Sequence, residues 1–271
     1  MKFMIFPCLL WATLSFAAIP RTSMILQRTA ENAGGGYYQI DQEVQFPNGQ
    51  DTLVLKETWM IENENNMKLI VTGAKELKDQ VSFTIQVNNG NHTQGSSTKR
   101  ASDDFIEKYF HIRSASSFAQ TLSQMKLIPA NALARRPVRN LKDLDHQSES
   151  FVRLGRTGGV VAYAFGGLAS QNSEPPGFWI EQDQFVLRKF RLPSQVEVVA
   201  DRFSSYSRGL MFPRVRTIRW GVNQVTIQTI SVTSRTKDNY IQFGSRVPSK
   251  IEALRNHQAA PLIEEFYSRF R

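Results

Sequence analysis

The run SRGLMFPRVRTIRWGVNQVTIQTISVTS, residues 207–234, reads as two strands with turns at Ser207-Arg208-Gly209 and Gly221-Val222-Asn223. Successive side chains of a strand point to opposite faces. Arg214 and Arg216 therefore share one face with Ile218 and Trp220, while Val215 and Thr217 share the other with Arg219. Neither face is cleanly dry, which suits a strand at the rim of a cavity, with Arg214 and Arg216 as the residues at its mouth. The alternative places these arginines on the outer sheet surface, their stems covering apolar neighbours. In the second strand the apolar positions switch phase, from Val225 and Ile227 to Ile230 and Val232. A bulge at Thr229 produces such a switch and bends the strand, as a curled sheet needs.

Outward from this run, strands recur at short intervals. YYQIDQEVQF (37–46) ends at Pro47-Asn48-Gly49, and TLVLKETWMI (52–61) ends in the polar cluster 62–66. MKLIVTG (67–73) and VSFTIQV (81–87) follow, the latter alternating Val81, Phe83, Ile85 and Val87 with polar residues. That period of two marks a sheet with one dry face, and the short connections make it an antiparallel meander. Residues 88–104 read as a polar loop. Helices are expected from Ser102 to about Arg113 and from Ser116 or Ser117 to Pro129, within a helical excursion over about 90–150. VRLGRTGGVVAYAFGG (152–167) reads as a strand region buried on both faces, with glycines that allow sharp bending. GFWIEQDQFVLRKF (177–190) is a hairpin turning at Glu181 to Gln184. A short helix starts at Thr22 or Ser23 and stops at Gly34-Gly35-Gly36. The chain closes in a helix capped by Ser249 that restarts at Pro261, with Leu262, Ile263, Phe266 and Phe270 near one side. The fold class is α+β, mainly β: a curled antiparallel sheet with helices packed on it or over its mouth. A single domain over 18–271 is expected.

The first residues supply a compartment. Lys2 is a positive n-region, Phe3 to Phe16 an apolar h-region, and Ser15-Phe16-Ala17 a small-x-small cleavage signal. Residues 1–17 are expected to be a signal peptide cleaved near Ala17, making the mature protein periplasmic. The one cysteine of the 271-residue chain, Cys8, lies in the h-region, so the mature chain has no disulfide, thiol nucleophile or cysteine-held metal. About 250 residues are ample for a hydrophobic core without staples. Lys and Arg number 33 against 24 Asp and Glu, a net charge of +9. Outside the cytoplasm that charge has anionic lipid or envelope polymer to meet, not nucleic acid.

No catalytic constellation emerges. The four histidines, His92, His111, His146 and His257, never stand at i, i+4, and there is no nucleophile elbow, P-loop or dinucleotide fingerprint. Carboxylate pairs such as Asp103 and Asp104 sit where a solvated turn or a helix start explains them. The protein is read as a non-enzyme without cofactor or metal. What remains is a set of large apolar side chains on curved strands. Trp59, Ile61, Met67, Leu69, Val71, Phe83, Ile85, Phe185, Leu187 and Trp220 are the candidates to line an apolar cavity. Taken one by one, core packing explains each of them; as a set on a curled sheet they point to a ligand cavity.

Several stretches resemble the bacterial lipoprotein-localisation carriers of the LolA and LolB type. They are GYYQIDQEV, ETWMIENENNMKLIVTG, GFWIEQDQFVLRKF and DRFSSYSRGLMFPRVRTIRW, the last with Tyr206, Gly209 and Pro213. The resemblance implies a half-barrel with a helical lid, an apolar cavity for acyl chains, and a lipid, a lipidated protein or an envelope membrane as partner. Two features depart from it: the long excursion at 90–150 and the ending EEFYSRFR. The expected mature N-terminus has no lipobox cysteine, which disfavours a membrane-anchored receptor. Two functions follow, a soluble carrier or binder of lipid or lipoprotein acyl chains, and a non-enzymatic envelope interaction protein whose cavity is filled by its own side chains.

Overall fold

A computed structural model describes residues 19–49, 51–133, 151–167, 174–244, 247–255 and 257–271. The expected signal segment and residues 134–150 of the excursion lie outside the described residues. Thirteen described strands form one antiparallel sheet. They are β1 (Tyr37–Asn48), β2 (Asp51–Asn63), β3 (Asn66–Gly73), β4 (Ser82–Asn88), β5 (Asn91–Gln94), β6 (Ser97–Arg100), β7 (Val152–Thr157), β8 (Val160–Gly166), β9 (Gly177–Glu181), β10 (Leu187–Arg191), β11 (Glu197–Ser205), β12 (Met211–Trp220) and β13 (Asn223–Arg235). Their spatial order is β6-β5-β4-β3-β2-β1-β13-β12-β11-β10-β9-β8-β7. The sheet is thus two meanders joined where β1 pairs with β13, with β6 and β7 the outermost of the described strands, and it is not closed into a barrel.

Alternation sets which side is dry. In β1 the even positions Tyr38, Ile40, Gln42, Val44 and Phe46 are buried, and in β3 Met67, Leu69 and Val71 are. The expected bulge is present one residue on. Gln42 pairs with Thr229 and Asp41 with Ser231, so Ile230 has no partner in β1 and is 62% exposed. The phase switch read in the sequence is this extra residue.

The five described helices are α1 (Thr22–Glu31), α2 (Ala115–Gln124), α3 (Lys237–Gln242), α4 (Glu252–Arg255) and α5 (Ala260–Phe270). Helix α2 starts at Ser114, whose hydroxyl accepts from the Ser117 N–H, and α5 carries Pro261 in its first turn, where a missing N–H costs nothing. Helix α1 begins as expected, but Arg21 stands at its cap without a side-chain bond. It ends before Gly34, whose φ of +64° suits glycine and whose missing Cβ leaves room for the Tyr38 hydroxyl.

Three expectations are corrected. The polar stretch 88–104 holds the hairpin β5–β6, turning at Gly95, in which the hydroxyls of Thr93 and Thr98 meet across the strands at 3.0 Å. The helix expected over 102–113 is only a 3₁₀ turn, Glu107–Phe110. The glycine-rich stretch after 151 is a second hairpin, β7–β8, turning at Gly158-Gly159.

Aromatic contacts fasten the helices to the dry side of the sheet. Phe266 of α5 meets Phe46 edge-on at 5.2 Å, Tyr267 meets Phe83 at 5.1 Å, and Phe270 meets Trp220 at 4.8 Å. The excursion fills the other half, with Tyr109 against Phe178 and Phe190 and Phe118 against Phe178. The C-terminal helix is therefore a core element, and Phe266 and Phe270 are fully buried. Replacing Phe266 by Ala is expected to cost about 3–5 kcal/mol. Urea denaturation checks this, and an unchanged midpoint would make α5 a loosely docked appendage.

Candidate functional site

At the centre of the dry side lies a ring of ionic and polar side chains drawn from five elements. Arg271, next to the last turn of α5, donates from Nε to both carboxylate oxygens of Glu57 on β2, at 3.0 and 3.2 Å. Glu57 also accepts from Gln42 Nε2 on β1 at 2.5 Å and from Trp59 Nε1 at 3.1 Å. Gln42 accepts from Arg216 Nη2 on β12 at 2.5 Å, and Arg216 Nη1 reaches Glu107 of the 3₁₀ turn at 2.8 Å. Arg271 Nη1, 3.6 Å from Glu107, closes the ring. The four charged side chains are sealed from solvent.

A buried charge is costly unless it is paired and hydrogen-bonded. Here two carboxylates face two guanidiniums, so the ring has no net charge. Burial alone would raise the Glu107 pKa, but Arg216, the His111 hydrogen bond and Arg271 together hold it well below the usual carboxylate range. His111 Nε2 lies 3.3 Å from Glu107. Burial lowers the His111 pKa and outweighs that carboxylate, so the imidazole is neutral and stacks on Phe212 at 5.5 Å. Arg216 is sandwiched too, with its guanidinium over the rings of Phe110 and Phe212 at 5.1 and 5.0 Å.

The two arginines read as mouth residues are separated. Arg214 is exposed, whereas Arg216 is 1% exposed and belongs to the ring, not to a cavity mouth. Its face is the dry one, and Glu107 supplies the countercharge that makes an inward arginine tolerable there.

Of the ten cavity candidates, Phe83 and Ile85 line an apolar cavity of about 330 Å³ between the β4–β6 edge and helices α4 and α5. Leu254, Ile263 and Tyr267 form its helical wall. Phe185 and Leu187 border a space of only about 20 Å³, room for a single water. Trp59, Ile61, Met67, Leu69, Val71 and Trp220 are core residues, buried beneath the excursion and α5. The reason is the C-terminal aromatic stripe, which occupies the volume an open half-barrel would leave. A larger, polar groove of about 690 Å³ runs beside α2, with Arg100, Asp103, Lys108 and Gln120 among its residues.

Sequence reading missed Gln42, Glu57, Glu107 and Arg271. A signal for three ring members was present: Gln42, Glu57 and Arg216 each occupy a dry-phase position of their strand. No third histidine, cysteine or acid gathers at any point among the described residues to hold a metal. None of the described helices is long and apolar enough to cross a membrane.

Solved structures resemble this chain in the course of the backbone. A LolA superfamily protein from Nitrosomonas europaea is 12% identical, with 80% of this chain and 94% of that one covered and a TM-score of 0.48. An outer membrane lipoprotein-sorting protein domain from Vibrio parahaemolyticus has the same identity and coverage with a TM-score of 0.45. A DUF1329 family protein from Desulfovibrio piger is 9% identical, covering 83% and 97%, with a TM-score of 0.47. No protein-family model matches the sequence, and no curated protein does.

Two outcomes follow from the ring and its histidines. Removing one partner of a buried pair strands the other charge, so Glu107→Gln is expected to cost about 3–5 kcal/mol, while Glu107→Leu combined with Arg216→Met recovers most of it. Chemical denaturation of the two variants measures the difference. For pH, burial together with Lys99 and Lys108 lowers His92 to about 4, and His111 is lowered as well. The unfolded chain takes up protons at these histidines below about pH 6.5 while the folded chain does not, so stability declines from there. Glu107, depressed when folded, holds its full contribution above about pH 4.3 and loses it below. Melting curves from pH 8 to 3 should show a decline that starts near 6.5 and steepens below 4.3, and a flat profile to pH 4 would contradict the assignment.

Proposed function

We propose that this protein binds an acyl chain of a lipid or lipidated protein, as a soluble carrier in the bacterial periplasm. The observation that carries the reading is the cavity of about 330 Å³ walled by Phe83, Ile85, Leu254 and Ile263, inside the size range of small-ligand sites. Apolar walls without a catalytic cluster suit holding a ligand better than transforming it. The curled sheet with helices on its dry side, the sequence motifs of the lipoprotein-localisation type and the export signal read at residues 1–17 support the same reading. The net charge, +9 for the full sequence and about +8 without Lys2 of the signal segment, favours approach to anionic membrane surfaces.

A second reading is favoured by the packing of α5. An envelope interaction protein with a self-filled core would show the same buried aromatics and the same ionic ring. The two differ in what the cavity does. N-phenyl-1-naphthylamine, a neutral apolar dye, should bind the purified full chain saturably in the micromolar range, and native mass spectrometry should show co-purified lipid. Filling the cavity by Ile85→Trp should abolish dye binding while circular dichroism stays unchanged. A folded wild-type protein that neither binds the dye nor carries lipid would leave the self-filled reading in place.

A further inference from the structure

The polar groove of about 690 Å³ beside α2 collects groups whose hydrogen-bonding capacity is unspent. It shares no lining residue with the apolar cavity. Its walls come from the β2–β3 turn, the segment 100–108 and one side of α2, with Pro193 and Ser194 beside them. The side chains of Asn65, Arg100, Asp103, Gln120 and Gln124 are exposed to it and make no hydrogen bond or ion pair with a described residue. Lys108 is half-buried, and its ammonium lies 5.1 Å over the Tyr109 ring with no acceptor or ion-pair partner among the described residues. Burial lowers its pKa against the pull of Asp103 and Asp104. An acceptor brought into the groove is worth most there, because a hydrogen bond from a charged donor is stronger than a neutral one.

Helix α2 supplies a second observation. Its ten residues, ASSFAQTLSQ, include no charged side chain, although 21% of the chain is charged. Phe118 and Leu122 are its buried residues. Ser117, Gln120, Thr121 and Gln124 stand at i, i+3, i+4 and i+7, so they form one stripe along the groove. The outer face of a surface helix ordinarily mixes charged with polar residues. A stripe of hydroxyls and carboxamides alone suits a neutral partner that both donates and accepts.

Charge and shape narrow that partner. Asp104 is taken by Arg269 and Ser194, which leaves Glu64 and Asp103 against Arg100 and Lys108 in the groove. A charged ligand would gain from one pair and lose to the other. An amphipathic helix docks through an apolar stripe, but Tyr109 and Ile112 at the groove are only 2% and 3% exposed. A sugar hydroxyl is donor and acceptor at once and answers both kinds of group. At roughly 30 Å³ per heavy atom, the volume of a water molecule, the groove holds about 23 such atoms, or two hexose units. We infer that the groove beside α2 binds a neutral oligosaccharide, two sugar units of which lie between the Gln120 and Gln124 stripe and the Lys108 ammonium. The site is separate from the cavity proposed for acyl chains and does not depend on that reading.

Isothermal titration calorimetry of the full chain with maltose and with N,N′-diacetylchitobiose, both neutral, tests this. At least one of them should bind saturably in the high micromolar to millimolar range, equally well at low and high salt. Lys108→Met, which keeps a side chain of similar length, should weaken binding about tenfold or more, the loss of a hydrogen bond from a charged donor. Gln120→Ala and Gln124→Ala should each weaken it by roughly two- to tenfold. Alanine is the better helix former, so the two glutamine variants should melt no lower than the wild type. N-phenyl-1-naphthylamine binding should be untouched in all three. Failure of both disaccharides to bind the folded protein overturns the inference, as does tighter binding of digalacturonate or of a blocked Ser-Gly-Ser-Gly peptide. Variants that bind the disaccharide like the wild type overturn it too. None of these results touches the acyl-binding reading, which the dye and co-purified lipid decide.

Discussion

The closed ring of Gln42, Glu57, Glu107, Arg216 and Arg271 is the constraint on which the interior depends. Each strand pairing in the sheet is local to its neighbours, but this ring joins β1, β2 and β12 to the 3₁₀ turn of the excursion and to the end of α5. Hydrophobic burial alone would let a helix slide over an apolar sheet, because it is non-directional. An ion pair without solvent has one geometry, and every other position leaves a bare charge. The ring thereby fixes the register of the helical layer, with Phe266 on Phe46 and Phe270 on Trp220 following from it.

That arrangement settles what the interior of the half-barrel contains. With α5 seated, the apolar strands from β1 to β3 face aromatic side chains of the same chain. The space left is displaced toward the β4–β6 edge, where the sheet partner is a short polar hairpin and α4 is a single turn. The aromatic stripe reaches Phe83 through Tyr267, but beyond it the wall is made of smaller or polar residues such as Gln94 and Ser97. The cavity is where the C-terminal helix runs out of bulk.

Much of the sheet was legible because one dry face imposes a period of two on β1, β3 and β4, and the phase switch in β13 pointed to the bulge within one residue. The hairpin β5–β6 was not, since only His92 of its eight residues is buried and no apolar alternation marks it. Helix α3, with no buried residue, left no apolar trace either. The site was half legible. Large apolar residues on curled strands were identified, but whether they line a space or a core depends on what fills the concavity, and that comes from residues 105–128 and 259–271, far away in sequence. Arg216 shows the same limit. An inward arginine looks like a mouth residue until Glu107, 109 positions earlier, is placed against it.

The pairing of β1 with β13 also has a bearing on how the chain is made. Tyr37 lies opposite Arg235, so the strand at the middle of the sheet waits for a strand about 200 residues further on before one of its flanks is covered. Contacts so distant in sequence close large loops and are slow to form. Until then β1 presents twelve residues of unsatisfied backbone along one side, an invitation to pair with another chain. The first meander, β1 to β6, is local and can zip from its own turns, as can the second. Joining them is a single late event, and Arg271 must be in place before the ring can lock the result.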